Sequence, residues 1–153
     1  MCIDRLSVKS TLHDYSVLFK RDGSFIKELA KIENAVFVVD KNVWSYYEKN
    51  LFSELPVERV IIQEAREELK NIETVCELYS RIMRFAPRKN MILISIGGGI
   101  IQDITGFVAS TLYRGIKWFF VPTTLLAQVD SCIGAKTSLN FSCFKNLIGT
   151  FYP

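Results

Sequence analysis

The sequence predicts an α/β fold, a mainly parallel sheet with helices on both faces, and three observations predict it. Short runs rich in β-branched and aromatic residues alternate with longer stretches of helical periodicity. The runs are apolar almost throughout, as strands buried on both faces are. One of them ends in Gly97-Gly98-Gly99 and passes directly into a helical pattern, the strand–turn–helix step of a Rossmann-like unit.

Along the chain, YSVLF (15–19) reads as a first buried strand and SFIKELAKIE (24–33) as a helix. AVFVVD (35–40) is the next strand, followed by a helix over NVWSYYEKNLF (42–52). RVIIQ (59–63) is a third strand, and the charged span Glu64–Lys70 looks like a solvated helix start. From Leu69 to Phe85 the pattern is helical, with Leu69, Ile72, Cys76, Tyr79 and Met83 recurring at three- and four-residue steps and predicted to form the apolar face. MILISI (91–96) leads into the glycines. A helix then starts at about Ile100, with Ile104, Phe107, Val108, Thr111 and Leu112 on one face, and KWFFV (117–121) closes the strand series. There are no internal repeats, linkers or low-complexity tracts.

The 153 residues, 49% of them apolar, suffice for one domain with a real core. A net charge of +3 with 23% charged residues lacks the dense basic patches of a nucleic-acid binder. The longest uncharged stretches, around Met91–Gln102 and Trp118–Val129, fall well short of the ~20 residues a membrane helix needs. The N-terminus has no apolar signal core, so a cytoplasmic location is expected. Cys2, Cys76, Cys132 and Cys143 form no C-x-x-C pair and are expected to be reduced thiols, with Cys76 packed on its helix. The single histidine, His13, reads as a surface residue, and no zinc site can be built from the chain's own Cys and His. The chain ends on the apolar LIGTFYP, which looks like a piece of a longer protein.

In parallel α/β sheets, ligands bind at the carboxyl ends of strands. Glycines there can take positive φ and let a ligand approach the amides, and the helix N-terminus suits a phosphate or pyrophosphate. A tight turn with no ligand is the plain alternative. Asp103 lies near the helix start, where the dipole alone favours it, or where it binds ribose hydroxyls. Asp40 ends a strand, as a ribose-binding carboxylate does, and could equally cap the next helix. The densest block, Val121–Gly149, holds Thr123, Thr124, Asp130, Lys136, Lys145 and Asn146 among apolar residues, with Gly134 and Gly149 as hinges. Its lysines are expected to be half-buried against Asp130 or an anionic ligand, making the block an active-site wall.

The stretch GGGIIQDITGFVASTLYRGIKWFFVPTTLLAQVDSCIGAKT, followed by KNLIGTFYP, closely resembles 3-dehydroquinate synthase and the wider sugar phosphate cyclases. The resemblance implies that residues 1–153 are the NAD-binding N-terminal domain of a dehydroquinate synthase-like fold, without the family's C-terminal helical metal-binding domain. The glycines then look like this family's own pyrophosphate loop. That explains why Gln102 stands where a G-x-G-x-x-G fingerprint starting at Gly97 needs glycine.

By resemblance, Asp40 and Asn42 contact the adenosine ribose, and Glu67 and Lys70 also hold the adenosine end of NAD. Gly97, Gly98, Gly99 and Ile100 form the pyrophosphate loop, with Asp103 on the cofactor's ribose side. Thr123 and Thr124 line the nicotinamide half, with Lys145 near it. Asp130, Lys136 and Asn146 grip the sugar phosphate, and Arg114 reaches the substrate phosphate across a homodimer interface. The implied reaction cyclises 3-deoxy-arabino-heptulosonate 7-phosphate to 3-dehydroquinate in the shikimate pathway. It runs through hydride removal, phosphate elimination, hydride return, ring opening and an aldol closure, with NAD regenerated. It also uses a divalent zinc or cobalt ion whose ligands are not in this chain, so the chain alone is expected to be inactive. Gln102, Ala135 in place of a second glycine before Lys136-Thr137, and the stretch SLNFSCF depart from the usual pattern and leave the substrate open. Alternatives are a cyclase acting on sedoheptulose 7-phosphate or a related sugar, a glycerol-dehydrogenase-like NAD oxidoreductase, and a non-catalytic remnant.

Overall fold

The computed structural model describes residues 4–85 and 89–153. Its centre is a four-stranded sheet built from β3 (Ala35–Asp40), β4 (Val60–Gln63), β5 (Ile92–Gly97) and β6 (Lys117–Pro122), in the order β4-β3-β5-β6. All three pairings are parallel. The chain leaves β3 for β4 on one side and returns to β5 on the other, so the strand order reverses between β3 and β5. Right-handed crossovers then require helices on opposite faces. Short helices α1 (Phe25–Ala30) and α2 (Lys41–Tyr47) cover one face, where Phe37, Val39, Ile94 and Ile96 pack with Trp44, Phe52 and Leu55. Longer helices α3 (Ile72–Met83) and α4 (Gly99–Thr111) cover the other, against Val36, Val38 and Leu93. Every residue of β3 is buried, which is why its sequence shows no alternation.

Two antiparallel hairpins flank this unit: β1 (Arg5–Val8) with β2 (Tyr15–Leu18), and β7 (Lys136–Phe141) with β8 (Phe144–Phe151). The run at Tyr15 is therefore a strand, but it is neither buried nor part of the parallel sheet. Its burial alternates because only one face has anything to pack on. Asp4, Leu6 and Leu18 remain exposed around it, and His13 is exposed, its ring T-shaped against that of Tyr152 with centroids 6.0 Å apart.

Three other expectations are corrected. The buried stripe of α3 is Thr74, Val75, Leu78 and Ile82, whereas Ile72, Cys76 and Met83 are exposed. Both stripes have helical spacing, and the neighbours Val108 and Ile104 on α4 receive only one of them. The helix expected through Phe52 ends at Tyr47, and the Asn50 side chain bonds the Leu51 amide at 2.5 Å, a local competitor to helical bonding. The charged start at Glu67 is a single 3-10 turn, Glu67–Leu69, separated from α3 by an Asn71 cap. Cys76, Cys132 and Cys143 are free thiols, and Cys2 lies outside the described residues. No helix among the described residues is long and apolar enough to cross a membrane.

Candidate functional site

The carboxyl ends of β3 and β5 open a cavity of about 630 Å³ where the strand order reverses. Asp40, Asn42, Gly98, Gly99, Ile100, Thr123 and Thr124 all line it. One Asp40 oxygen, Oδ1, accepts from the amides of Asn42 (2.7 Å) and Val43 (3.2 Å), capping α2. The capping role is thus present, and it uses one of the two carboxylate oxygens. α4 begins at Gly98 with no side-chain cap, unlike α2 and α3, so the amides of its first turn are not bonded by any capping side chain.

The three glycines serve close approach, not left-handed backbone. Gly115 is the positive-φ glycine among the described residues, at 115°. A Cβ on Gly97 would stand 2.7 Å from Ile101, and one on Gly98 would stand 3.0 Å from Thr124 Cγ2. One on Gly99 would meet only Ser131 Oγ, at 3.9 Å. The backbone of the loop continues into β6, where the Thr123 amide donates to Gly97 O at 2.9 Å. Thr124 Oγ1 accepts from the Ala127 amide at 3.2 Å and so starts the π-helical turn Ala127–Ser131.

A second group assembles beside α4. Lys70, only 5% exposed, places Nζ 3.0 Å from Asp103 Oδ2, 2.5 Å from Asn146 Oδ1 and 3.6 Å from Glu67 Oε1. Ser138 donates to Asp103 from its amide (3.1 Å) and its hydroxyl (3.3 Å), and its hydroxyl also bonds Asn146 at 2.9 Å. Asn140 donates to Glu67 Oε1 at 2.9 Å and accepts from the Asn146 amide at 2.9 Å. Burial pushes the Asp103 carboxyl up, against the opposing pull of Lys70 and Ser138. Glu67 is held below the usual carboxylate range, chiefly by the Asn140 bond. A cavity of about 560 Å³ next to this network is lined by Glu67, Asn140 and Lys145 among others.

Glu67, Lys70, Asp103 and Asn146 therefore come together, apart from the cavity that Asp40 lines. Asn140 and Ser138 belong with them and were not singled out from the sequence. Their only trace there is the alternation Lys136, Ser138, Asn140 against buried Thr137 and Leu139. Asp130, Lys136 and Lys145 are exposed, not half-buried as expected. The apolar residues around them, such as Leu125, Phe144 and Leu147, are exposed as well, so an apolar composition did not make a covered surface. The supposed hinges differ too: the left-handed residues of the block are Ala135 (φ 51°), Ser142 and Asn146 (φ 56° each), and Gly149 is a strand position whose Cβ would meet Thr137 O at 2.3 Å. Arg114 is exposed at the far end of α4, about 20 Å of helix from Gly98. Among the described residues, no three His, Cys, Asp or Glu side chains are grouped to hold a metal ion.

A family described as "3-dehydroquinate synthase N-terminal" matches residues 60–153. A protein of Pelagibacter ubique (strain HTCC1062) named 3-dehydroquinate synthase is 40% identical over 160 residues, covering 99% of this chain and 44% of the relative. One of Clostridium tetani (strain Massachusetts / E88) with the same name is 50% identical over 86 residues, covering 56% of this chain and 23% of the relative. Among solved structures, 2-deoxy-scyllo-inosose synthase superposes with a TM-score of 0.80 over 97% of this chain and 44% of its own, a likeness of fold at 23% identity. The 2-epi-5-epi-valiolone synthase from Streptomyces hygroscopicus subsp. jinggangensis 5008, with NAD+ and Zn2+ bound, has a TM-score of 0.69 and 36% identity, covering 82% of this chain and 37% of its own. The chain thus spans less than half the length of these relatives. By the family match over well more than half its residues, the chain belongs to the 3-dehydroquinate synthase family, whose N-terminal part it represents.

Proposed function

We propose that this chain is the NAD-binding half of a 3-dehydroquinate synthase whose substrate is 3-deoxy-arabino-heptulosonate 7-phosphate. The observation that carries the cofactor half is the cavity at the strand reversal, with the uncapped start of α4 on one wall and Asp40 on the other. The residues fit a dinucleotide. Gly98, Gly99 and Ile100 offer amides to a pyrophosphate, and the absent Cβ atoms let it approach. Asp40 Oδ2, the oxygen that the capping bonds leave, suits a ribose hydroxyl, with Asn42 beside it. Thr123 and Thr124 supply hydroxyls on the β6 side. Bound NAD supplies a reversible hydride acceptor. The solved valiolone synthase relative with NAD+ bound supports this reading.

The remaining roles follow from chemistry. Lys136 is exposed and suits the substrate phosphate as a point charge, with Asp130 on the same segment. Asn146 is oriented through Oδ1 by Lys70 and Ser138, which supports a role for its Nδ2 as a donor to the sugar. Lys70 acts by holding Asp103 and Asn146. Glu67 and Lys145 flank the second cavity and remain assigned to the cofactor. Arg114 cannot reach the cavity of its own chain, which supports a homodimer in which it serves the other subunit. No grouping of His, Cys, Asp and Glu among the described residues fits a metal, and in this reading a zinc or cobalt ion is held by residues outside this chain.

A second substrate is favoured by one observation. The 36% identity to a 2-epi-5-epi-valiolone synthase points to a cyclase acting on sedoheptulose 7-phosphate or a related sugar. Phosphate release by the longer protein that carries this chain separates the two readings, with both sugars offered alongside NAD and zinc or cobalt. Release from the heptulosonate alone is the expected result. Release from sedoheptulose 7-phosphate alone would move the substrate, and net NADH formation from a simple alcohol would replace both with an oxidoreductase.

A further inference from the structure

Gln102 is 2% exposed on α4. Its Nε2 donates to Ser131 O at 2.7 Å and to Lys136 O at 3.4 Å, while its Oε1 is buried with no hydrogen-bond partner. A methionine or leucine would fill the same volume without a stranded acceptor, so packing is a poor reason for a glutamine. What it alone supplies is a pair of N–H donors to two carbonyls five residues apart. Those carbonyls bracket the bend that includes left-handed Ala135. The next contacts along α4 continue the same seam: Asp103 takes the Ser138 amide, and Gly106 lets Thr137 Cγ2 in so closely that an added Cβ would stand 2.5 Å away.

We propose that Gln102 is a positioning residue: by tying both ends of the 131–136 segment to α4, it sets where the Lys136 ammonium stands. The assignment of Lys136 to a sugar phosphate rests on the function proposed above. The anchoring does not, and the two can fail separately. Without the tie, the segment between the π-helical turn and β7 is held by the Tyr15 hydroxyl on Ile133 O, the Tyr152 amide on Ala135 O at 2.8 Å, the pairing of Lys136 with Phe151 and the Asp103 bonds at Ser138, none of which joins Ser131 to α4.

Amide hydrogen exchange on this chain tests the tie directly, with wild type, Gln102→Met and Gln102→Glu compared. In Gln102→Met, exchange over 132–138 is expected to rise at least tenfold while β5 and the body of α4 keep their protection. Gln102→Glu keeps the shape but turns a carboxylate toward two carbonyl oxygens. It should open the segment at pH 8 and restore protection at pH 5, where the buried carboxyl is protonated and can donate. A role in packing alone predicts no such recovery. Unchanged exchange at 132–138 in both variants would overturn the proposal. Calorimetry on the longer protein adds the second arm: affinity for the heptulosonate phosphate in the presence of NAD should fall about tenfold in Gln102→Met, with NAD affinity held within twofold. Loosened exchange with undiminished sugar phosphate affinity would also overturn the positioning of Lys136. If the longer wild-type protein binds no sugar phosphate in the presence of NAD, the proposed function fails and exchange alone decides the role of Gln102.

Discussion

A Cβ on Gly97 would collide with Ile101 at 2.7 Å, whereas one on Gly99 would have 3.9 Å to its nearest neighbour. The two alanine variants should therefore behave oppositely. Gly97→Ala overpacks the strand–helix junction and is expected to cost about 1–3 kcal/mol in urea unfolding. Gly99→Ala should leave stability unchanged and, if the proposed pyrophosphate site is right, weaken NAD in calorimetry, because its methyl would stand in the path of that group. The Lys70 network has its own pH signature. Asp103, raised by burial, contributes stability below its ordinary value of 3.8 and loses it as pH rises through the folded value. Lys70→Met strands that carboxylate, so the loss should reach about 3–5 kcal/mol at pH 7 and shrink as pH falls and Asp103 takes a proton. Glu67 runs the other way. Its contribution is present above 4.5 and disappears as pH falls through the depressed folded value. Asn140→Ala removes the main cause, and NMR titration of the Glu67 side chain should show its pKa moving up toward the ordinary value.

On α3, two stripes of equal helical spacing compete in the sequence, and the structure buries Val75, Leu78 and Ile82 completely while Met83 is 49% exposed. Leu78→Ala is expected to cost about 2–5 kcal/mol, and Met83→Ala no more than about 0.5 kcal/mol. Chemical denaturation of the two variants decides between the stripes. β3 and β5 were legible because strands buried on both faces are written as continuous apolar runs, and the edge strands β4 and β6 carry the same apolar runs although Ile62 and Phe119 are exposed rather than buried as expected. The run at Tyr15 was equally apolar and became half of an exposed hairpin, since a run of that length carries no mark of which neighbours it will find. β7 and β8 escaped notice for the opposite reason. Their alternation is interrupted by exposed Phe141 and Phe144 and by the irregular pairing between Leu139 and Phe141.

Across the whole molecule, Arg114 and the cavity lie at opposite ends of α4, so one chain cannot close the arginine over its own ligand. If the proposed dimer forms, Arg114→Ala should raise KM for the sugar phosphate at least tenfold in the longer enzyme, with the NAD dissociation constant unchanged. A normal KM would remove Arg114 from the site. The parallel sheet, the glycine turn and the placing of Asp40 and Thr123 at strand ends beside the cavity could be read from the chain because each depends on residues close in sequence: apolar runs, helix starts and strand ends. The Lys70 cluster could not. Lys70 and Asn146 are 76 positions apart, and only the folding of the β7–β8 hairpin against α4 brings them to 2.5 Å. An ammonium, two amides and two carboxylates look like solvated surface until a hairpin closes over them, because desolvation belongs to the surroundings and not to the residue.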